Sequence, residues 1–184
     1  MEETKIEIMK EGKSSVETQF VNYLQSIADD RGAMAALRRG LGKTPGSVSV
    51  MYPYVAPWSE KEASYERFYL IASLFAAGPE HQENGHSFGS ALRFLVEPGK
   101  EVRGSSIEKR FQALLGLDRD ELYRPLSRFI VMLKSKAVPL DYAALMKDLR
   151  WWDAPCQRGN KSVQLRWAED FWRNSKSTEN QDKE

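Results

Sequence analysis

Three short stretches carry residue types that chemistry on phosphates or metals would need. Gly42-Lys43-Thr44 has the ending of a phosphate-binding loop, in which backbone N–H groups cradle phosphates and the lysine neutralises them. That motif requires a glycine five positions before Gly42, where this chain has Leu37, and a strand before the loop, where it has a helical pattern. A nucleotide-binding loop is therefore excluded. His81, Glu83 and His86 stand close together and are metal-capable, yet the chain has two histidines in all and one cysteine, Cys156, too few for a zinc site of recognisable spacing. HExxH is absent, and no pair of carboxylates is marked out for acid/base work. No catalytic residue, metal ligand or cofactor is assigned.

The third stretch, Asp29 to Gly46, reads DDRGAMAALRRGLGKTPG and holds Arg31, Arg38, Arg39 and Lys43 with no acid between them. At 100° per residue, Ala33, Met34, Leu37 and Leu41 fall on one side of a helix and the four cations on the other. The spacing predicts a helix that buries Met34, Leu37 and Leu41 and leaves one exposed cationic ridge. Like charges at i,i+4 repel, so such a ridge faces either solvent or a polyanion. A second basic set follows: Lys109, Arg110, Arg124, Arg128, Lys134, Lys136, Lys147 and Arg150. Glu108 and Asp148 are expected to pair with some of these on the surface, where ion pairs contribute little.

Positioning these residues falls to helices. Ser14 with Glu17, Ser59 with Glu62, Ser105 with Glu108 and Asp118 with Glu121 each resemble a capping box ahead of an apolar periodic segment. From these, helices are expected near 15–28, 30–42, 60–77, 87–97, 105–116, 118–136, 140–153 and 160–174. In the helix from Asp118, Leu122, Leu126, Phe129, Ile130 and Leu133 make one stripe, and Val138-Pro139 stops it. The segment Ser47–Trp58, with Pro53 and Pro57, reads as a short proline-interrupted helical turn. The expectation is an all-α, bilobed helical bundle of about eight or nine helices. Its parts would be a flexible N-terminal segment 1–13, lobes 14–97 and 105–174, and a disordered tail 175–184.

Composition agrees with a packed globule: of 184 residues, 41% are hydrophobic and 29% charged. Trp151, Trp152, Trp167 and Trp172 crowd the C-terminal third, and the helical spacing of Trp167 with Phe171 and of Leu149 with Trp152 reads them as core rather than as stacking platforms for bases. A net charge of +1 requires any anion site to come from local clustering. With a lone cysteine, no apolar run of membrane-spanning length and no leader-like start, the chain is expected to be soluble and cytoplasmic.

RGAMAALRRGLG from Arg31, EKRFQALLG from Glu108, LSRFIVMLKS from Leu126, LMKDLRWW from Leu145 and WAEDFW from Trp167 together resemble the CasB family. This family provides the small subunit of the type I-E CRISPR surveillance complex, Cascade. The resemblance spans roughly Val16 to Arg173. It implies a two-lobed helical protein without catalytic activity, two copies of which sit head to tail against the other Cascade subunits. It further implies stabilisation of the duplex of guide RNA and target DNA, and of the displaced strand, by basic surfaces without sequence readout. In that setting Arg31, Arg38, Arg39, Lys43, Arg110, Arg128, Lys134 and Arg150 are the expected phosphate contacts. The alternative is a helical scaffold that bridges protein subunits without touching nucleic acid.

Overall fold

The computed structural model describes residues 14–60, 64–97, 99, 101–154 and 160–173. Glu62, Cys156 and the two terminal segments named above lie outside these residues. Among the described residues there are nine α-helices and no strand: α1 Val16–Ser26, α2 Arg31–Arg38, α3 Tyr52–Ser59, α4 Glu66–Ala77, α5 Phe88–Arg93, α6 Ser106–Leu115, α7 Tyr123–Ser135, α8 Tyr142–Arg150 and α9 Val163–Trp172. The all-α expectation holds. Two 3-10 turns, Ser49–Met51 and Arg119–Glu121, precede α3 and α7.

The caps explain where helices begin, and they correct the sequence reading. Ser15, not Ser14, caps α1 by accepting from the Thr18 amide, which makes Glu17 the second helical residue, buried rather than reaching back to a cap. Ser59 ends α3, its hydroxyl donating to the Ala56 carbonyl, so it starts nothing. Asp118 opens the 3-10 turn without a side-chain cap bond, which delays α7 to Tyr123. Ser105 does cap α6, accepting from the Glu108 amide. The Glu108 carboxylate turns instead to the Gly104 amide and the Trp172 indole N–H, and these hydrogen bonds hold its carboxyl below the ordinary carboxylate range. Asp30, Asp141 and Ser162 cap α2, α8 and α9.

Helix α4 is the axis of the fold. Its sequence ERFYLIASLFAA is apolar on nearly every side, and a helix of that kind must be surrounded. It packs against α1, α2, α3, α7 and α8, while α1 also meets α8 and α5 meets both α7 and α9. One cluster of buried side chains runs from Phe20 to Phe171. Trp152 and Trp167 are fully buried, their indole N–H groups donating to the Leu117 carbonyl and the Asp148 carboxylate at 2.9 and 2.7 Å. Trp151 departs from the core reading: it is 54% exposed, with the Arg150 guanidinium over its ring.

The α5/α9 contact depends on one glycine. A Cβ at Gly89 would stand 2.2 Å from the Trp167 carbonyl oxygen and under 3 Å from two further backbone atoms of Trp167. Backbone cannot yield as a side-chain tip can, so Gly89→Ala is expected to pry α9 from α5 at a cost of about 3 kcal/mol. A chemical denaturation midpoint equal to that of the wild type would contradict this packing.

Candidate nucleic-acid interface

The cationic stretch folds as α2 plus an exit turn. Asp30 accepts from the Gly32 and Ala33 amides, and Ala33, Met34 and Leu37 bury, with Leu41 partly buried behind them. Arg31, Arg38, Arg39 and Lys43 are all exposed. Among the described residues none of the four makes an ion pair. Arg31 is the first residue of α2, where a cation opposes the helix dipole and so adds no stability there.

Two details differ from the expected ridge. The helix ends at Arg38 rather than near residue 42, and Gly42 at φ 69° turns the chain, so Lys43 leaves the helix axis. The Gly42 amide donates to Ser127 Oγ on α7 at 3.0 Å, and that hydroxyl donates to the Tyr123 carbonyl. This tether brings the end of the first basic set beside Arg124 and Arg128 of the second. Arg38 is engaged as well as exposed, its Nε donating to the Ala76 carbonyl at the end of α4.

The second set is spread over α6, α7 and α8. Arg110 and Arg128 line one groove of about 460 Å³ between α6 and α7, where Arg110 approaches Met132 Sδ at 3.9 Å. Lys134 lines a groove along Gly78–Gln82, and Arg38 lines another along Gly78–His81, so the two cations flank a single loop. Arg150 stands apart: it lies 3.6 Å from Glu17, whose side chain is 7% exposed, and its charge is partly spent on that buried carboxylate.

The acids expected to quench the second set are occupied elsewhere. Asp148 accepts from Arg166 and Trp167 at 2.6 and 2.7 Å, and Glu108 from Trp172 and Gly104. Arg110, Arg124, Arg128, Lys134, Lys136 and Lys147 therefore make no ion pair among the described residues. An unneutralised field of this kind, on exposed and flexible side chains without a deep pocket, suits phosphates of a long polyanion.

Histidine and serine chemistry finds no support in the geometry. His81 Nδ1 accepts from the Tyr142 amide at 3.2 Å, and His86 packs on the Phe94 ring. Gly85-His86-Ser87-Phe88-Gly89 has the G-x-S-x-G spacing of a hydrolase nucleophile elbow, a match that sequence reasoning missed. Ser87 has relaxed extended backbone angles and caps α5, and its hydroxyl donates to the Asp170 carboxylate at 2.6 Å rather than to an imidazole. With neither the strained turn nor an imidazole at the hydroxyl, the spacing does not reproduce a nucleophile elbow.

Comparison with known proteins gives a consistent answer. Residues 33–172 match the family model described as CRISPR-associated protein Cse2. The chain is 32% identical over 176 residues to the CRISPR-associated protein Cse2 of Thermus thermophilus, covering 90% of this chain and 95% of that one. Among solved structures, a Cse2-family protein of the same organism is similar with a TM-score of 0.70 at 32% identity, over 86% of this chain and 99% of that one. CasB from M. ruber gives 0.69 at 26% identity, over 88% and 94%. A chain of a CRISPR RNA-guided surveillance complex gives 0.68 at 26% identity, over 85% and 91%.

Proposed function

The chain belongs to the CRISPR-associated Cse2 (CasB) family, and we propose that it is the non-catalytic small subunit of a type I-E surveillance complex in antiviral defence. In this role a head-to-tail pair of copies lies along the other Cascade subunits. Its basic surfaces stabilise the hybrid of guide RNA and target DNA and hold the displaced strand, without reading sequence. The observation that carries the proposal is the meeting of two separate basic sets across the Gly42–Ser127 tether and the Gly78–His81 loop. Base pairing reads sequence in guide-directed recognition, and the protein's part is cationic contact with backbone phosphates. Arg31, Arg39, Lys43, Arg110, Arg128 and Lys134 make those contacts, Arg38 through the guanidinium N–H groups not given to Ala76, and Arg150 more weakly because of Glu17.

No helix among the described residues is long and apolar enough to cross a membrane. The second reading, a scaffold between proteins, is favoured by the exposed apolar side chains Phe94, Val131 and Leu165. Tagged chain expressed with the other type I-E subunits and a guide RNA is expected to co-purify with all of them. Recovery of the chain alone would overturn the assignment to the complex.

A further inference from the structure

A cleft of about 280 Å³ opens where the Lys43–Gly46 turn, the start of α4 and the start of α7 converge. Its lining includes the buried Leu70 and Leu149 and two tyrosines, Tyr65 and Tyr123. That volume lies just below the range of about 300–1,000 Å³ typical of pockets for extended small ligands, and fits one planar ring system better than a chain of groups. Tyr65 is held ready rather than loose. It is 46% exposed, its ring stands at 86° to that of Tyr69, and a Cβ on Gly46 would come within 3.2 Å of it. The φ of 80° at Gly46 and the missing side chain let the turn lie against the ring.

Charges of both signs line it, Glu66 and Asp120 with Arg67 and Arg119, and further cations stand nearby. Lys43 precedes the turn, Arg119 lines the cleft with its side chain 45% exposed and steadied by Asp153 at 3.4 Å, and the Arg124 guanidinium lies 5.6 Å from the Tyr123 ring centroid. Thr44 and Asp120, also on the lining, supply a hydroxyl and a carboxylate acceptor. A small cleft lined by two tyrosines and by hydrogen-bonding groups, with arginines on and beside it, matches a nucleotide whose base has left its stack, the base inside and flanking phosphates outside. Resting on the nucleic-acid role above, we propose that this cleft seats one unstacked nucleobase of a single strand, with Tyr65 as the stacking face. Backbone contact alone would leave such a slot empty.

The test compares the full chain with its Tyr65→Ala and Tyr65→Phe variants on two short oligonucleotides of equal length, ordinary single-stranded DNA and a wholly abasic deoxyribose-phosphate chain. Tyr65→Ala is expected to weaken ordinary DNA by about five- to a hundredfold, leave the abasic chain unaffected, and keep the same salt dependence. Tyr65→Phe retains the ring and is expected to bind like the wild type. Equal loss on both oligonucleotides, or no loss on either, would overturn the base seat while the backbone role stands. Failure of the wild type to bind either one at low salt would overturn both readings. Intact oligonucleotide binding by Tyr65→Ala with weakened capture of the other complex subunits would reassign the cleft to a protein side chain.

Discussion

Complexes in which Arg31, Arg39, Arg110 and Arg128 are all replaced by glutamate are expected to bind target DNA about a hundredfold more weakly near physiological salt, with the subunit still folded. Each lost phosphate contact removes roughly 0.7–0.9 from the slope of log affinity against log salt, and two copies in the complex double the four losses, so the variant should also be shallower by about 6. These four are chosen because the structure gives them no ion pair to lose among the described residues. Arg38 is left in place, since its bond to the Ala76 carbonyl would confuse binding with stability. Arg31→Glu puts an anion at the N-terminus of α2, which on its own adds about 0.3–1 kcal/mol to the helix. An unfolding temperature that stays level or rises while affinity collapses is therefore the signature of a binding surface. A matched fall in both would mark these arginines as structural.

The second large effect is on stability alone. Glu17 Oε1 lies 3.6 Å from Arg67 and 3.6 Å from Arg150, with side chains 7%, 3% and 44% exposed respectively. The carboxylate thus joins α1 to α4 and α8 through one atom. Glu17→Ala removes a buried carboxylate that faces two guanidiniums, one of them 3% exposed, and is expected to cost about 1–3 kcal/mol. For a chain of this length that is a fall of about 5 °C in unfolding temperature, read by calorimetry. Arg150→Ala removes the exposed partner and is expected to cost under about 1 kcal/mol. Equal losses from the two variants would contradict the burial that separates them.

Helix content was legible because apolar spacing survives every local surprise: α7 keeps the Leu122 to Leu133 stripe although its first turn is 3-10. Helix ends were less legible, since capping depends on where a side chain is drawn by tertiary partners. Glu17 fits a capping box in sequence and is instead buried against two arginines from α4 and α8. Exposure of the basic residues followed from the helix wheel, but their mutual positions did not. Gly42 in the left-handed region and its bond to Ser127, 85 residues on, set where Lys43 stands. In the same way Asp148 looks like a neighbour for Lys147 or Arg150 in sequence, yet the fold delivers Arg166 and Trp167 to it. Tyr65, Arg119 and Tyr123 come together only through the packing of α4 against α7, so no local motif announces their cleft.

The central claim is that unpaired cations from two distant parts of the sequence form one surface for a nucleic-acid backbone. Its most direct test is the salt dependence of target-DNA binding by complexes carrying the wild-type chain and the four-glutamate variant. The expected result is a steep wild-type slope, a slope shallower by about 6 in the variant with its two copies, and convergence of the two affinities at high salt. Parallel lines of equal height across the salt range would contradict it.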